Sequence, residues 1–247
     1  MITDDEPEDD AGEMFVKICG VTTEEDALLA IALGADAIGF MFAPSPRQVA
    51  AGSVADIVKR LPREVLTVGV FRNEAPARVV ELAHTAGLGA VQLHGHEPPE
   101  HSHYIRERIR FLIQAFPAGS LALAGAGKYA ADAVMIDSAT PGSGRVFDWA
   151  LAEGLGARRL MLAGGLTAAN VARAITQVRP WAVDVSTGVE RAPGIKDPVK
   201  LRAFIAAAKA ASSSDLDSLD SDGGFEDELD ISPVGHSVVF DQDHPPF

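Results

Sequence analysis

The residues best suited to chemistry lie at the ends of short apolar runs. The first run, Phe15-Val16-Lys17-Ile18-Cys19-Gly20, contains the only cysteine among the 247 residues. Successive side chains of a strand point to opposite faces, so Phe15, Lys17 and Cys19 share one face. A thiol at the end of a strand, just before a turn, stands where α/β proteins carry their chemistry, whereas most free cysteines are buried packing groups, and this run alone leaves both roles open. If the face is buried, Lys17 needs a charged partner, because an unpaired interior ammonium is very costly.

Further polar residues follow other apolar runs along the chain. They are Arg47 in the loop after the second run, Arg72-Asn73, His94, Asp137, Gly164-Gly165 and Ser186-Thr187-Gly188. Taken singly, each fits an ordinary role such as a surface arginine, a helix cap or a turn. Together they predict one site if the runs are parallel strands, because the carboxyl ends of such strands meet at one face. The last two segments also favour a bound phosphate, since Gly- and Ser-rich loops present backbone N–H groups beside helix N-termini.

The apolar runs alternate regularly with helix-forming segments. Strands are predicted at 15–20, 37–42, 65–71, 90–94, 110–116, 133–137, 159–163 and 182–186. Helical segments are predicted at about 23–33, 52–60, 75–86, 98–108, 119–131 (short and irregular), from 147 onward, 168–178 and 198–211. Such alternation is typical of a sheet of parallel strands.

Eight such units in about 200 residues predict an α/β fold, a single-domain (β/α)8 TIM barrel over residues 14–211. The alternative is an open, doubly wound sheet, but the unit lengths are even and no glycine fingerprint follows the first strand. In a closed barrel the first and eighth strands are neighbours. Lys17 and Asp184 would then face the interior side by side, and we predict that they form a buried ion pair.

The formal net charge of −14 comes from the two ends of the chain. Residues 1–13 carry seven acids and residues 212–247 carry ten, with no lysine or arginine in either segment. Without these seventeen of the 35 acids, eighteen remain against 21 bases, so the body has a net charge of +3. Such ends bury too little apolar surface to offset the entropy of ordering, so disordered acidic extensions are predicted at 1–13 and 212–247.

The composition also restricts compartment and partners. One cysteine excludes an intramolecular disulfide framework and fits a reducing compartment. The first residues are acidic where a signal peptide would be basic, and no apolar run is long enough to span a bilayer. We therefore expect a cytoplasmic protein that acts on a small phosphorylated substrate and binds neither nucleic acid nor a membrane, as a monomer or homodimer.

Several short motifs together resemble one family, the phosphoribosylanthranilate isomerases of tryptophan biosynthesis. They are Val16-Lys17-Ile18-Cys19-Gly20, Gly69-Val70-Phe71, Val91-Gln92-Leu93-His94-Gly95, Gly142-Ser143-Gly144 with Phe147-Asp148-Trp149, Gly164-Gly165-Leu166, and Val183 to Glu190. The resemblance covers about residues 15–209, in order along the chain. It implies the Amadori rearrangement of N-(5-phosphoribosyl)anthranilate to 1-(2-carboxyphenylamino)-1-deoxyribulose 5-phosphate, an aldose–ketose isomerisation that needs no metal or organic cofactor.

The resemblance also implies residue roles. Cys19 matches the general base after strand one, Asp137 the general acid after strand six, and Arg47 the arginine that meets the anthranilate carboxylate. The predicted substrate-binding residues are Arg47, Gly164, Gly165, Asp184, Ser186, Thr187 and Gly188. A planar guanidinium suits a carboxylate because it offers two parallel N–H groups.

Some features depart from the family pattern or admit other readings. The loop between Asp137 and Phe147 looks shorter than in many relatives, and Gln114 stands where relatives often carry a basic residue. Four histidines (His94, His96, His101 and His103) could suggest a metal, but only His94 ends a strand, so no metal site is predicted.

One alternative function is that of a broader sugar-phosphate isomerase that also accepts a histidine-pathway substrate. Another is a non-catalytic barrel that binds partners through its acidic ends, although retention of Cys19 and Asp137 speaks against it.

Overall fold

Eight parallel strands form a closed barrel in the order β1 to β8, each hydrogen-bonded to the next and β8 to β1. The structure, a computed structural model, describes residues 13–138, 144, 146–152 and 159–220, with side chains to residue 211. The barrel strands are β1 (Phe15–Cys19), β2 (Ala37–Met41), β3 (Leu66–Phe71), β4 (Ala90–Leu93), β5 (Phe111–Pro117), β6 (Ala133–Asp137), β7 (Leu160–Leu162) and β8 (Ala182–Val185). The predicted (β/α)8 barrel is therefore confirmed, and the open-sheet alternative is wrong.

Helices connect most of the strands on the outside of the barrel. The α-helices are α1 (Glu24–Ala32), α2 (Ala51–Val58), α3 (Pro76–Ala86), α4 (Pro99–Arg106), α5 (Val171–Val178) and α6 (Pro198–Asp220). Shorter 3-10 helices span Leu121–Lys128, Trp149–Ala152 and Thr187–Val189. The Gly- and Ala-rich segment after β5 is thus irregular, as expected because Gly125 and Gly127 disfavour a regular α-helix.

Local sequence signals explain where α1 and α3 begin and end. The hydroxyl of Thr23 accepts a hydrogen bond from the backbone N–H of Asp26 at 3.2 Å, and three acids fill the first turn of α1. Both features satisfy the free N–H groups and the dipole of a helix N-terminus. Helix α3 has Pro76 in its first turn and ends at Gly87, whose φ of 68° is left-handed and favours glycine.

Two features of the C-terminal third were not predicted. Strands β9 (Glu190–Ala192) and β10 (Ile195–Lys196) form a small antiparallel hairpin after β8, turned by Pro193-Gly194, a dipeptide that is a usual turn signal. Helix α6 continues to Asp220 rather than ending at Ala211, because no glycine or proline follows Pro198 until Gly223. Residues 1–12 and 221–247, most of the predicted extensions, lie outside the described residues.

Each strand contributes side chains to two layers of packing, one inside the barrel and one between the strands and the helices. The inner layer is built mostly from alanines, such as Ala37 and Ala90, with larger side chains such as Met135, and Phe15 and Trp181 stack 4.7 Å apart near its lower end. The outward side chains pack against the helices. Gln114 shares its face with Leu112 and Phe116, which belong to this outer packing, so Gln114 does not line the barrel interior.

One buried ion pair joins two neighbouring strands inside the barrel. Lys17 and Asp184 are directly opposite in the pairing of β1 with β8, and Nζ of Lys17 donates to Oδ1 of Asp184 at 2.7 Å. Lys17 is fully buried and Asp184 is 8% exposed. Burial alone would lower the pKa of Lys17, but the charges of Asp184 and Cys19 outweigh it and raise that pKa. The predicted pair is therefore confirmed.

Removing one member of this pair should strongly destabilise the fold. We expect Asp184→Asn or Lys17→Met to lower the free energy of unfolding at pH 7 by about 3–5 kcal/mol, because the other charge stays buried and unpaired. Since the Lys17 pKa is raised, the contribution of its ammonium should be complete between pH 7 and about pH 10.4 and should be lost as the pH rises further, through the folded-state pKa. Urea unfolding measures both effects.

The matched control is an exposed pair. Lys59 and Asp56 lie 3.3 Å apart with side chains 73% and 71% exposed, so Lys59→Met should cost less than about 1 kcal/mol. Equal losses in the free energy of unfolding for Lys59→Met and Asp184→Asn would show that the buried pair stabilises the fold no more than an exposed pair does.

Candidate active site

The carboxyl ends of the strands bring the predicted residues to one rim. Cys19 ends β1 and Asp137 ends β6, both on the inward face of their strands. Strands β7 and β8 lie between them in the sheet, and each is followed by a Gly- or Ser-rich loop. The rim therefore holds a thiol and a carboxylate on either side of two loops suited to an anion.

The two loops approach each other closely. Gly164 and Gly165 have φ values of 86° and 65°, and a Cβ at Gly188 would lie 1.9 Å from the carbonyl oxygen of Leu166. Only glycine fits that approach. The loops line a cavity of about 50 Å³ together with Asp137, Asp184, Ser186 and Thr187. This space is far below the roughly 300–1,000 Å³ of sites for larger organic ligands, but it suits a single anionic group.

Asp137 is held by its own backbone and faces a histidine. Its Oδ1 accepts a hydrogen bond from the N–H of Ser138 at 2.6 Å. Its Oδ2 lies 3.1 Å from Nε2 of His94, without the alignment of a hydrogen bond. A Cβ at Gly164 would lie 3.0 Å from Oδ1 of Asp137, so this glycine leaves room for the carboxylate.

A buried amide orients His94. Nε2 of Gln92 donates to Nδ1 of His94 at 2.8 Å, and Gln92 is fully buried inside the barrel. A neutral His94 with this partner carries its proton on Nε2, the nitrogen next to Asp137. The sequence places His94 at the end of a strand, but it does not predict the contacts of His94 with Gln92 and Asp137. The contact with Asp137 depends on the register of β4 with β6 through β5.

The thiol of Cys19 lies between two buried lysines. Cys19 is 5% exposed, and Lys17, two residues earlier on the same face, reaches its sulfur. Lys196 donates from Nζ to the carbonyl oxygen of Cys19 at 2.5 Å. Burial raises the pKa of the Cys19 thiol, and the positive charges of Lys17 and Lys196 reduce that rise without abolishing it.

Gly39 provides the space that the thiol occupies. It stands opposite Cys19 in the pairing of β1 with β2. A Cβ at Gly39 would lie 2.9 Å from Sγ of Cys19 and 3.2 Å from Cε of Lys17. The cysteine and the lysine thus share a gap that a larger residue would close.

Arg47 reaches the same rim from the loop between β2 and α2. A Cβ at Gly20 would lie 2.5 Å from Cδ of Arg47, so the arginine stem crosses the turn after Cys19. Its Nε and Nη2 donate to the two oxygens of Glu190 at 2.8 and 2.6 Å. Nη2 also lies 3.4 Å from Oγ1 of Thr187, on the loop after β8.

Glu190 and Lys196 belong to the unpredicted hairpin. Nζ of Lys196 lies 3.1 Å from Oε1 of Glu190, and both residues are buried. Burial alone would raise the pKa of Glu190, but the hydrogen bond from Arg47 and the charge of Lys196 lower it. Burial lowers the pKa of Lys196, and Glu190 opposes that shift.

The structure thus brings the predicted site residues to the rim, with Asp184 engaged by Lys17 below it. Gly142 and Ser143 of the loop after β6, and with them the expectation of a short loop there, lie outside the described residues. Within the described part of the chain, no group of three or more His, Cys, Asp and Glu is arranged to hold a metal ion. His101 and His103 lie on α4, as expected.

A larger cavity, of about 760 Å³, opens at the opposite end of the barrel. It is lined by the segments before β3, β4 and β5, including Arg63, Glu64 and Arg110. In barrels of this kind the chemistry is carried by the other face, so size alone does not make this cavity the candidate site. No helix among the described residues is both long and apolar enough to cross a membrane.

Comparison with known proteins finds a family and relatives that match this chain over the barrel. The family described as N-(5'phosphoribosyl)anthranilate (PRA) isomerase matches residues 16–207. An N-(5'-phosphoribosyl)anthranilate isomerase from Desulforudis audaxviator is 48% identical over 205 residues, which are 80% of this chain and 98% of that protein.

Two solved structures are similar over the same span. Phosphoribosyl anthranilate isomerase from Thermus thermophilus is 42% identical with a TM-score of 0.74, covering 83% of this chain and 100% of that one. A phosphoribosyl anthranilate isomerase in complex with reduced 1-(o-carboxyphenylamino)-1-deoxyribulose 5-phosphate is 41% identical with a TM-score of 0.72, covering 80% and 99%.

The single thiol gives a direct test of the site's electrostatics. Because burial raises its pKa despite two lysines, the midpoint of thiolate formation should lie above about pH 8.5, the usual pKa of a free cysteine, and only a small fraction of the thiol should be ionised at pH 7. The ultraviolet absorbance of the thiolate, measured against pH as the difference between the wild type and Cys19→Ala, reports this one group. A midpoint at or below that of free cysteine in the same buffer would contradict the described environment.

Proposed function

The chain belongs to the N-(5'-phosphoribosyl)anthranilate isomerase family of tryptophan biosynthesis, and we propose that Cys19 and Asp137 carry the proton transfers of its reaction. The substrate would be N-(5-phosphoribosyl)anthranilate and the product 1-(2-carboxyphenylamino)-1-deoxyribulose 5-phosphate. The observation that carries the proposal is the placement of the two residues. They end β1 and β6 on the inward face, with the anion-suited loops of β7 and β8 between them.

The phosphate would bind first and fix the rest of the substrate. The loops of Gly164-Gly165 and Ser186-Thr187-Gly188 line the cavity of about 50 Å³, where backbone N–H groups and the start of a helix favour an anion. With the phosphate there, the ribose would extend across the barrel mouth between Cys19 and Asp137. Arg47 would take the anthranilate carboxylate, since a guanidinium matches it with two parallel N–H groups.

Asp137 would act as the general acid for ring opening. It donates a proton to the ribose ring oxygen, the bond from that oxygen to C1′ breaks, and the anilino nitrogen supplies the electron pair that makes a C1′ iminium. A carboxylic acid must be protonated to do this, and Asp137 stands at the barrel mouth with only 7% of its surface exposed. His94, 3.1 Å from Oδ2, places a second proton-carrying group beside it.

Cys19 would act as the general base for the next step. Its thiolate removes the proton from C2′, and the electron pair left behind forms the C1′–C2′ double bond while the iminium becomes an enolamine. Loss of the C2′ hydroxyl proton and gain of a proton at C1′ then give the ketone, so no electron leaves or enters the substrate. The thiolate is a poor group to bury, and the ammonium groups of Lys17 and Lys196 partly offset that cost.

Steady-state kinetics on three variants separates these roles. Cys19→Ala should remove the base and Asp137→Asn the acid, each lowering kcat by about 10²–10⁴-fold with little change in KM. Arg47→Ala should instead raise KM at least as much as it lowers kcat, because it removes binding of the carboxylate.

Two exposed residues serve as controls. Asp56→Asn and Arg60→Ala, both at the surface of the α2 region, should retain wild-type kinetics, and all variants are first checked for folding. Near-normal turnover by Cys19→Ala would make the thiol a packing residue and remove it as the base. No turnover by the wild type itself would favour the non-catalytic barrel.

A further inference from the structure

Glu190 holds Arg47 at the rim through two short hydrogen bonds. It begins β9, and its side chain is only 4% exposed. Its two carboxylate oxygens accept from Nε and Nη2 of Arg47 at 2.8 and 2.6 Å. This is the bidentate arrangement that fixes both the position and the plane of a guanidinium.

The contact with Glu190 uses only one edge of the Arg47 guanidinium, the edge formed by Nε and Nη2. Arginine has five N–H groups, one on Nε and two on each Nη. Glu190 takes Nε and one hydrogen of Nη2, and the hydroxyl of Thr187 accepts from Nη2 at the longer distance of 3.4 Å. Among the described residues, Nη1 has no hydrogen-bond partner, so the Nη1–Nη2 end can receive a second carboxylate through Nη1 and, in place of the long Thr187 contact, through Nη2.

Glu190 is itself held in place. Its Oε1 also accepts from Nζ of Lys196 at 3.1 Å and from the backbone N–H of Gly194 at 3.3 Å. Lys196 in turn donates to the carbonyl oxygens of Cys19 and Ser186, at 2.5 and 3.4 Å. The carboxylate that orients Arg47 is thus tied to the ends of both β1 and β8.

We infer that Glu190 is a positioning residue, which holds Arg47 by its Nε–Nη2 edge so that the Nη1–Nη2 end receives the carboxylate of the substrate. The inference rests on the role proposed above for Arg47. A mobile arginine loses side-chain entropy when it binds, and a guanidinium already fixed in plane loses less. The hairpin β9–β10 therefore becomes part of the specificity for an ortho-carboxylated aromatic amine.

The test compares two ligands that differ only in the carboxylate. One is reduced 1-(o-carboxyphenylamino)-1-deoxyribulose 5-phosphate, and the other is the same compound with an unsubstituted phenyl ring. Glu190→Gln, which keeps the shape but loses the charge, should weaken binding of the first by about ten-fold. Binding of the second should change little, because its phosphate contacts lie on other loops. Calorimetry gives the two Kd values.

Further variants separate positioning from a general structural effect. Lys200 donates to the backbone oxygen of Glu190 at 2.7 Å, so Lys200→Met disturbs the hairpin without touching the carboxylate and should leave both Kd values near wild type. Glu190→Gln also leaves Lys196 buried without a counter-charge. If it does not fold, the double variant Glu190→Gln/Lys196→Met removes both charges and should show the same selective loss.

Each remaining outcome decides the inference. Equal weakening of both ligands in Glu190→Gln would make Glu190 a structural residue only, and tighter binding of the carboxylated ligand would make it a competitor for Arg47. Either result, or no change at all, overturns the inference. If Arg47→Ala binds both ligands like the wild type, the proposed role of Arg47 fails first. If Arg47→Ala loses only the carboxylated ligand while Glu190→Gln does not, the positioning inference alone fails.

Discussion

The arrangement of the candidate site depends on the buried ion pair of Lys17 and Asp184. The pair joins β1 to β8, the two strands whose pairing closes the barrel. It also lies two residues below Cys19 and Ser186 on the same inward faces, so it determines where the thiol and the loop after β8 stand. Two charges in a barrel interior are compatible with folding only when each neutralises the other.

Above this pair, the buried Glu190 and Lys196 and the half-buried Arg47 form a second group of charged side chains. Replacing a buried ion pair with apolar residues of the same size often leaves the stability of a protein unchanged or raises it. Stability alone is therefore a weak explanation for so many charged side chains near one thiol. Their common feature is that they surround Cys19 from below and from the rim. Lys17 and Lys196 reduce the pKa rise that burial causes in the thiol, and Glu190 keeps Lys196 and Arg47 in place.

Periodicity and strand order were enough to predict the barrel and the pairing of Lys17 with Asp184. Alternation of side chains assigns each residue to a face, and closure makes β1 and β8 neighbours, so no distance was needed. The network of Glu190 was not predictable in this way. It joins residues 143 positions apart, Arg47 and Glu190, through a hairpin for which no strand was predicted, and its geometry is set by side-chain rotamers.

A crystal structure of the chain with reduced 1-(o-carboxyphenylamino)-1-deoxyribulose 5-phosphate tests the central claim most directly. The account predicts the phosphate against Gly164-Gly165 and Ser186-Gly188, with the sugar between Cys19 and Asp137. The carbon equivalent to C2′ should lie about 3–3.5 Å from Sγ of Cys19. An oxygen of Asp137 should lie about 2.6–3.2 Å from the sugar oxygen that came from the ring. A ligand bound at the opposite end of the barrel, or at the rim with its sugar beyond reach of both residues, would contradict the account.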